Sequence, residues 1–258
     1  MSKAVKKNVM IERTEEISNG IYSMYLVDSE IANQAKPGQF VSLYSKDGSR
    51  LLPRPISICE IDQVRGALRL VYRIAGKGTE EFSKLKAGDT ISVMGPLGNG
   101  FMMEEGKTIL IGGGIGIPPM LELAKQLSSN GVTVQMVLGY RDQLFLNEEF
   151  ENYGNVYIST EDGSVGTKGN VIDAIKENNL DADIIYACGP TPMLRGVKAF
   201  ASEYNIRAQI SLEEKMACGI GACLACTCKT KEKDHHSNVN NKRICKDGPV
   251  FYAQEVEL

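Results

Sequence analysis

Five of the chain's seven cysteines crowd toward its C-terminal end. Four lie in Cys218-Gly-Ile-Gly-Ala-Cys223-Leu-Ala-Cys226-Thr-Cys228 and the fifth in Arg243-Ile-Cys245. An odd total with this crowding suits metal ligation in a reducing compartment better than a disulfide scaffold. The C-x4-C-x2-C run with a later fourth cysteine has the plant-type [2Fe–2S] spacing. A loop that wraps such a core must bring backbone close and turn N–H groups toward sulfur, and Gly219 and Gly221 permit the positive φ angles this needs. Two alternatives stand beside it: a structural zinc site, although zinc ribbons usually carry two C-x2-C knuckles where this chain has one, and thiols that are merely close in sequence. Cys228 competes for the fourth place, because residues two apart share a face of a strand. The spacing pattern, with its distant fourth ligand, favours Cys245.

A one-electron centre needs a donor and an acceptor, and 258 residues leave room for further domains. Apolar residues make up 43% and charged residues 24%, as in ordinary soluble proteins. A net charge of −3 provides no broad basic field, so nucleic acid is not an expected partner. No apolar run approaches the ~20 residues of a membrane span, and Met1–Asn8 has no apolar core of a secretory signal. The expected location is cytoplasmic. The polar stretch Lys229–Lys242 reads as a solvated hairpin tip, with His235-His236 exposed in it rather than binding metal.

In the first hundred residues, Val9–Arg13, Ile21–Val27, Gln39–Ser45, Ile56–Ile61, Leu68–Ile74 and Thr90–Val93 read as short strands separated by turn formers, with one helix over Thr79–Leu85. Six strands at this spacing predict an antiparallel barrel. Two places in it look chemical. Arg54-Pro55-Ile56-Ser57 offers a planar fork of donors for a phosphate and a hydroxyl nearby. Gly76-Lys-Gly78-Thr79 opens a helix, where free N–H groups bind phosphate. Read structurally instead, the first is a strand start and the second a helix capped by Thr79.

Next comes an alternation of strands and helices. Thr108–Ile111 runs into Gly112-Gly113-Gly114-Ile-Gly116-Ile-Pro118-Pro119 and a helix over Met120–Ser128. Strand, glycine loop and helix is the arrangement that cradles a dinucleotide phosphate, although the spacing departs from G-x-G-x-x-G. Val132–Leu138, Asn155–Ser159, Asp183–Ala187 and Arg207–Ser211 read as strands, and Val171–Glu177 and Met193–Glu203 as helices. Together they predict a doubly wound parallel sheet. Cys188-Gly189-Pro190 follows a strand end, where ligands bind in open α/β sheets. Read alone, Cys188 is a small buried residue.

These motifs in order, with Gly95-Pro-Leu-Gly-Asn-Gly-Phe101 and Met216-Ala-Cys218, resemble the ferredoxin–NADP reductase superfamily. Within it they resemble the electron-transfer subunits of type B dihydroorotate dehydrogenases. The resemblance implies an antiparallel FAD-binding β-barrel (1–101), a doubly wound parallel NAD-binding domain (102–212) and a small C-terminal [2Fe–2S] domain (213–258). Arg54, Pro55, Ile56 and Ser57 would lie along the isoalloxazine and its phosphate, Val71, Tyr72 and Arg73 would flank the flavin, and Gly78 and Thr79 would hold the pyrophosphate. Gly112, Gly113, Gly114 and Gly116 with Cys188, Gly189 and Pro190 would bind NAD, and Cys218, Cys223, Cys226 and Cys245 would hold the cluster. Asp142 beside Arg141, after the second strand of that domain, disfavours the 2′-phosphate of NADP. The implied partner is an FMN-containing dihydroorotate dehydrogenase catalytic subunit, two copies of each forming a heterotetramer. Electrons would pass from its FMN through [2Fe–2S] and FAD to NAD+ in pyrimidine (UMP) biosynthesis. The chain itself would supply no catalytic acid or base. Another flavin–iron–sulfur reductase subunit, coupled to ferredoxin, sulfide or hydrogenase chemistry, would share this domain order.

Overall fold

The computed structural model describes residues 4–233 and 238–258; the His235-His236 pair lies outside the described residues. The chain divides into two compact units. One holds residues 1–100, 213–227 and 243–249, and the other residues 101–212, 228–242 and 250–258.

The first unit is built on a closed barrel of six antiparallel strands: β1 (Val5–Ser18), β2 (Ile21–Val27), β3 (Phe40–Tyr44), β4 (Arg54–Asp62), β5 (Ala67–Arg73) and β6 (Thr90–Leu97), in the order β1-β2-β5-β4-β3-β6. Alternation sorts the side chains. Val41, Leu43, Ile58, Leu68, Leu70, Tyr72, Ile91 and Val93 fill the interior, with helix α1 (Ser29–Gln34) adding Ile31 and Ala32. Closure removes the open sheet edges that six short strands would otherwise expose. β1 is longer than its apolar core Val9–Arg13 predicts, because its first part, Val5–Met10, pairs with β6 and its second part pairs with β2 across two register shifts. Helix α2 (Lys77–Ser83) starts two residues before its expected position. Its N-cap is Gly76, not Thr79. Thr79 stands at the third helical position, its Oγ1 accepting from the amides of Ala75 (2.9 Å) and Gly76 (3.2 Å).

The second unit carries a seven-stranded sheet. Its strands are β7 (Thr108–Gly113), β8 (Val134–Tyr140), β9 (Asn155–Thr160), β10 (Thr167–Lys168), β11 (Ile184–Cys188) and β12 (Arg207–Ser211), all parallel, and β15 (Val250–Tyr252), antiparallel to β12. The order is β10-β9-β8-β7-β11-β12-β15. α3 (Pro118–Ser129) packs with α4 (Asn147–Phe150), and α5 (Val171–Glu177) with α6 (Thr191–Glu203), the pairing expected of a doubly wound sheet. A two-stranded sheet of β13 (Thr227–Lys229) and β14 (Asn241–Arg243) completes the fold. Among the described residues no helix is long and apolar enough to cross a membrane.

Leu70 is fully buried in the barrel interior. Truncation there removes packing that six converging strands cannot reclaim, so Leu70→Ala should cost about 2–5 kcal/mol. The measurement is chemical unfolding of the purified chain; a change under about 0.5 kcal/mol would mean the interior relaxes freely around the gap.

Candidate functional site

The cysteine loop folds around its own sulfurs. Gly219 (φ 70°) and Gly221 (φ 82°) turn the chain through the left-handed region, and so does Leu224 (φ 59°), where a bulky side chain is strained. The amides thereby turn inward. Ile220, Ala222 and Cys223 donate to Cys218 Sγ at 3.5, 3.3 and 3.4 Å; Gly221 donates to Cys245 Sγ at 3.1 Å, and Cys245 to Cys226 Sγ at 3.4 Å. The side chains fall into two neighbouring pairs, Cys218 beside Cys223 and Cys226 beside Cys245. Burial pushes the Cys218 thiol up, but the amides of Ile220, Cys223 and Ala222 outweigh it and hold it at about 6. Cys245 is pushed up to about 12 by burial and by its neighbour Cys226. Among the described residues no three His, Cys, Asp or Glu side chains converge as the shell of a single ion. Two thiol pairs beneath converging amides fit two irons held by two cysteines each better than one tetrahedral zinc. Cys228 lies half-buried on β13.

This loop rests on the barrel. A Cβ at Gly219 would lie 3.2 Å from Ser42 Oγ and 3.2 Å from Met94 Cε, on β3 and β6. Val41 and Leu43 point inward, so Ser42 faces out, paired with Pro55 of β4. Pro55 and Ser57 share that outer face, whereas Ile56 packs against the interior. β5 alternates likewise. Tyr72 points inward and stacks on Tyr22 (6.3 Å between centroids), its phenol raised by burial, so the outward positions are Val71, which is buried, and Arg73, which is exposed.

Arg54 begins β4 and lays its guanidinium against the start of α2. A Cβ at Gly78 would fall 2.2 Å from Arg54 Nε. Glycine there lets the arginine cross the helix N-terminus. Beside it opens a cleft of about 430 Å³ lined by Arg50, Arg54 and Lys77, with Asp47, Ser49, Leu51 and Leu52. Arg50 is held by Glu81 and by the carbonyl of Lys77 (3.0 Å). Asp47 and Glu81 both engage Arg50, which leaves Arg54 and Lys77, next to a helix N-terminus, as the cations that fit a pyrophosphate. The Thr79 hydroxyl is engaged within its own turn, also donating to Gly76 O (3.0 Å). Sequence reading overlooked Arg50 and Lys77. The Arg50-x3-Arg54 spacing was visible, but the cleft needs α2 folded back onto the loop 45–53.

In the second unit, β8 lies on one side of β7 and β11 on the other, so the strand order reverses between β7 and β11. Open α/β sheets bind ligands at such a point, beyond the strand C-termini. Both predicted loops arrive there, since Gly112 pairs with Cys188. Gly112, Gly113 and Gly116 each have a tight neighbour. A Cβ at Gly113 would meet Met193 Sδ at 2.4 Å, and one at Gly116 the Cys188 carbonyl oxygen at 2.4 Å. Gly114 takes φ 52°. Pro118 and Pro119 occupy the first turn of α3, where no N–H partner is lost. Cys188 and Gly189 are half-exposed and Pro190 exposed, leaving the turn accessible. Arg141 and Asp142, both exposed, follow β8 directly.

Two substitutions separate the cofactor sites. Gly78→Ala displaces only the mobile end of Arg54, so the barrel should keep its stability while FAD binds about tenfold to a hundredfold more weakly, the loss of one charge-assisted contact. Fluorescence titration of FAD-depleted protein measures it, and unchanged affinity would remove Arg54 from the phosphate site. Gly116→Ala collides with backbone and should weaken NADH binding by at least about tenfold while FAD and iron content stay at wild-type levels, measured by calorimetric titration and cofactor analysis.

Comparison with known proteins follows the same division. Residues 8–101 match the family model described as the oxidoreductase FAD-binding domain and residues 110–199 the oxidoreductase NAD-binding domain. Residues 213–257 match the iron–sulfur cluster binding domain of dihydroorotate dehydrogenase B. The dihydroorotate dehydrogenase B (NAD(+)) electron transfer subunit of Fusobacterium nucleatum subsp. nucleatum is 44% identical over 96% of this chain and 97% of that one. Its counterpart in Bacillus cereus is 43% identical over 98% of this chain and 99% of that one. Among solved structures, an NADH-dependent reduced ferredoxin–NADP oxidoreductase aligns with a TM-score of 0.87 at 31% identity, covering 96% of this chain and 89% of that chain. An Amycolatopsis cytochrome P450 reductase shares the fold alone, with a TM-score of 0.64 at 21% identity over 78% of this chain and 67% of that chain. With the three domain models matched in order and relatives of this identity along nearly its full length, the chain belongs to the family of dihydroorotate dehydrogenase B electron transfer subunits.

Proposed function

We propose that this chain carries electrons from the FMN of a dihydroorotate dehydrogenase catalytic subunit to NAD+, in de novo UMP synthesis in the cytoplasm, as half of a two-plus-two heterotetramer. The work divides among an FAD domain (1–101), an NAD domain (102–212) and a cluster domain (213–258). The observation that carries the reading is the cysteine loop seated on the outer barrel face that presents Pro55 and Ser57. Neighbouring strands are about 4.8 Å apart, so a cluster and a flavin on that face would lie within a short electron-transfer distance.

Bound [2Fe–2S] supplies one-electron relay, and bound FAD converts single electrons to the hydride that NAD+ accepts. The residues supply binding, orientation and field. Cys218 and Cys223 would hold one iron and Cys226 and Cys245 the other, and the amides of 220–223 would lower the charge density on sulfur. Arg54, with Arg50 and Lys77 beside it, neutralises the FAD pyrophosphate at the start of α2. Pro55, Ser57 and Val71 form the wall against the isoalloxazine; Ile56 and Tyr72, which face the interior, contribute backbone. Gly112–Gly116 allow the NAD phosphates to approach the start of α3, and Cys188-Gly189-Pro190 shape the nicotinamide end. A hydride passes without a protein acid or base, so none is assigned. Exposed Ile220 and Leu224 on the cluster loop supply an apolar contact for the catalytic subunit where electrons enter.

A second reading is favoured by the likeness to a chain of an NADH-dependent reduced ferredoxin–NADP oxidoreductase, a different reaction carried on this architecture. Anaerobic dihydroorotate-dependent NAD+ reduction, measured with this chain alone and co-expressed with an FMN-binding dihydroorotate dehydrogenase, separates the two. Turnover only in the pair is expected, with one FAD and two irons per chain. NADH oxidation with an artificial acceptor but no coupling in the pair would transfer the chain to another complex.

A further inference from the structure

Arg243 stands two residues before Cys245 and belongs to neither the ligand set nor the cofactor motifs. Its guanidinium is anchored on Asp247: Nε donates to Oδ2 at 2.9 Å and Nη2 to Oδ1 at 3.1 Å, while the Arg243 amide donates to the same Oδ2 at 2.8 Å. This two-pronged pairing fixes the plane of the fork. The remaining prong, Nη1, donates to the carbonyl of Gly221 at 3.3 Å. That carbonyl belongs to the peptide whose N–H is Ala222's, which donates to Cys218 Sγ at 3.3 Å. Gly221's own N–H meets Cys245 Sγ at 3.1 Å. The consecutive amides of Gly221 and Ala222 therefore serve a sulfur of each thiol pair, and Arg243 holds the carbonyl between them.

We propose that Arg243, locked by Asp247, is a positioning residue that raises the reduction potential of the cluster through the Gly221–Ala222 peptide. The inference rests on the reading of Cys218, Cys223, Cys226 and Cys245 as cluster ligands. Reduction of a bound cluster would convert one ferric iron to ferrous and so raise the negative charge carried by the sulfurs. Amide hydrogen bonds to sulfur stabilise the reduced form more than the oxidised one. A cation donating to the carbonyl of a peptide polarises it and strengthens the hydrogen bond its N–H makes. The carbonyl contact also fixes Gly221 at φ 82°, the conformation that aims its amide at Cys245. Lysine cannot replace this arrangement. It has the charge but not the planar fork that binds a carboxylate with two donors and a carbonyl with a third.

The test is a redox titration of the purified wild-type complex, Arg243→Gln and Arg243→Lys, following the reduced-cluster signal by electron paramagnetic resonance, with iron and FAD content measured in parallel. Both variants are expected to keep two irons and to show the ratio of reduced to oxidised cluster falling about tenfold at a fixed ambient potential, equal to about 59 mV for one electron. The effect of hydrogen–deuterium exchange on the iron–thiolate stretching bands should shrink in the same variants. A shift in Arg243→Gln that Arg243→Lys restores would overturn the proposal in favour of bulk charge. Unshifted potentials in both, or loss of iron from both with FAD retained, would overturn it as well. A wild-type protein with no two-iron signal would instead sink the ligand reading beneath it.

Discussion

Backbone approach is the constraint on which every proposed cofactor position depends. Sulfur, phosphate and guanidinium must each come closer to the main chain than a Cβ permits, and the chain meets this demand in three ways. At Gly219 and Gly221 the left-handed turn swings amides toward thiols. At Gly78 the missing side chain is the space in which Arg54 lies. At Gly113 and Gly116 the gap is filled by Met193 and by the Cys188 carbonyl, so these glycines join two loops of the sheet as much as they clear a path for phosphate. A glycine-rich motif is thus a statement about neighbours, and its meaning depends on what the fold brings into the gap.

Much of this was legible in the sequence because period and spacing are local. Ile21–Val27, Val171–Glu177 and Arg207–Ser211 have the limits their patterns predict. The cysteine spacing predicted ligands that the structure gathers into two pairs. What escaped was decided at longer range. α1 and α4 span six and four residues, too short to display a helical period. β15 has three residues, whose strand state comes from pairing with β12. The split between Pro55 and Ser57 outward and Ile56 and Tyr72 inward follows from simple alternation, yet a motif read as one block hides it. The Arg243-x3-Asp247 bracket around Cys245 was visible as opposite charges four apart, but its target, the Gly221 carbonyl, lies 22 positions earlier in the chain.

Electrostatics follows the same division of labour. The first unit gathers cations at the cleft of Arg50, Arg54 and Lys77, where a diphosphate would supply the opposing charge. At the thiols it uses neutral amides instead, which stabilise charge on sulfur without adding a competing ion. In the second unit the proposed dinucleotide position at the reversal between β7 and β11 would rely on shape and helix dipole rather than side-chain charge.

β15 completes the second unit's sheet by lying antiparallel on β12. In chain order the hydrogen-bonding edge of β12 stays bare until residues 250–252 follow, after every one of the four proposed ligands. An uncovered parallel-sheet edge is a template for pairing with another nascent chain.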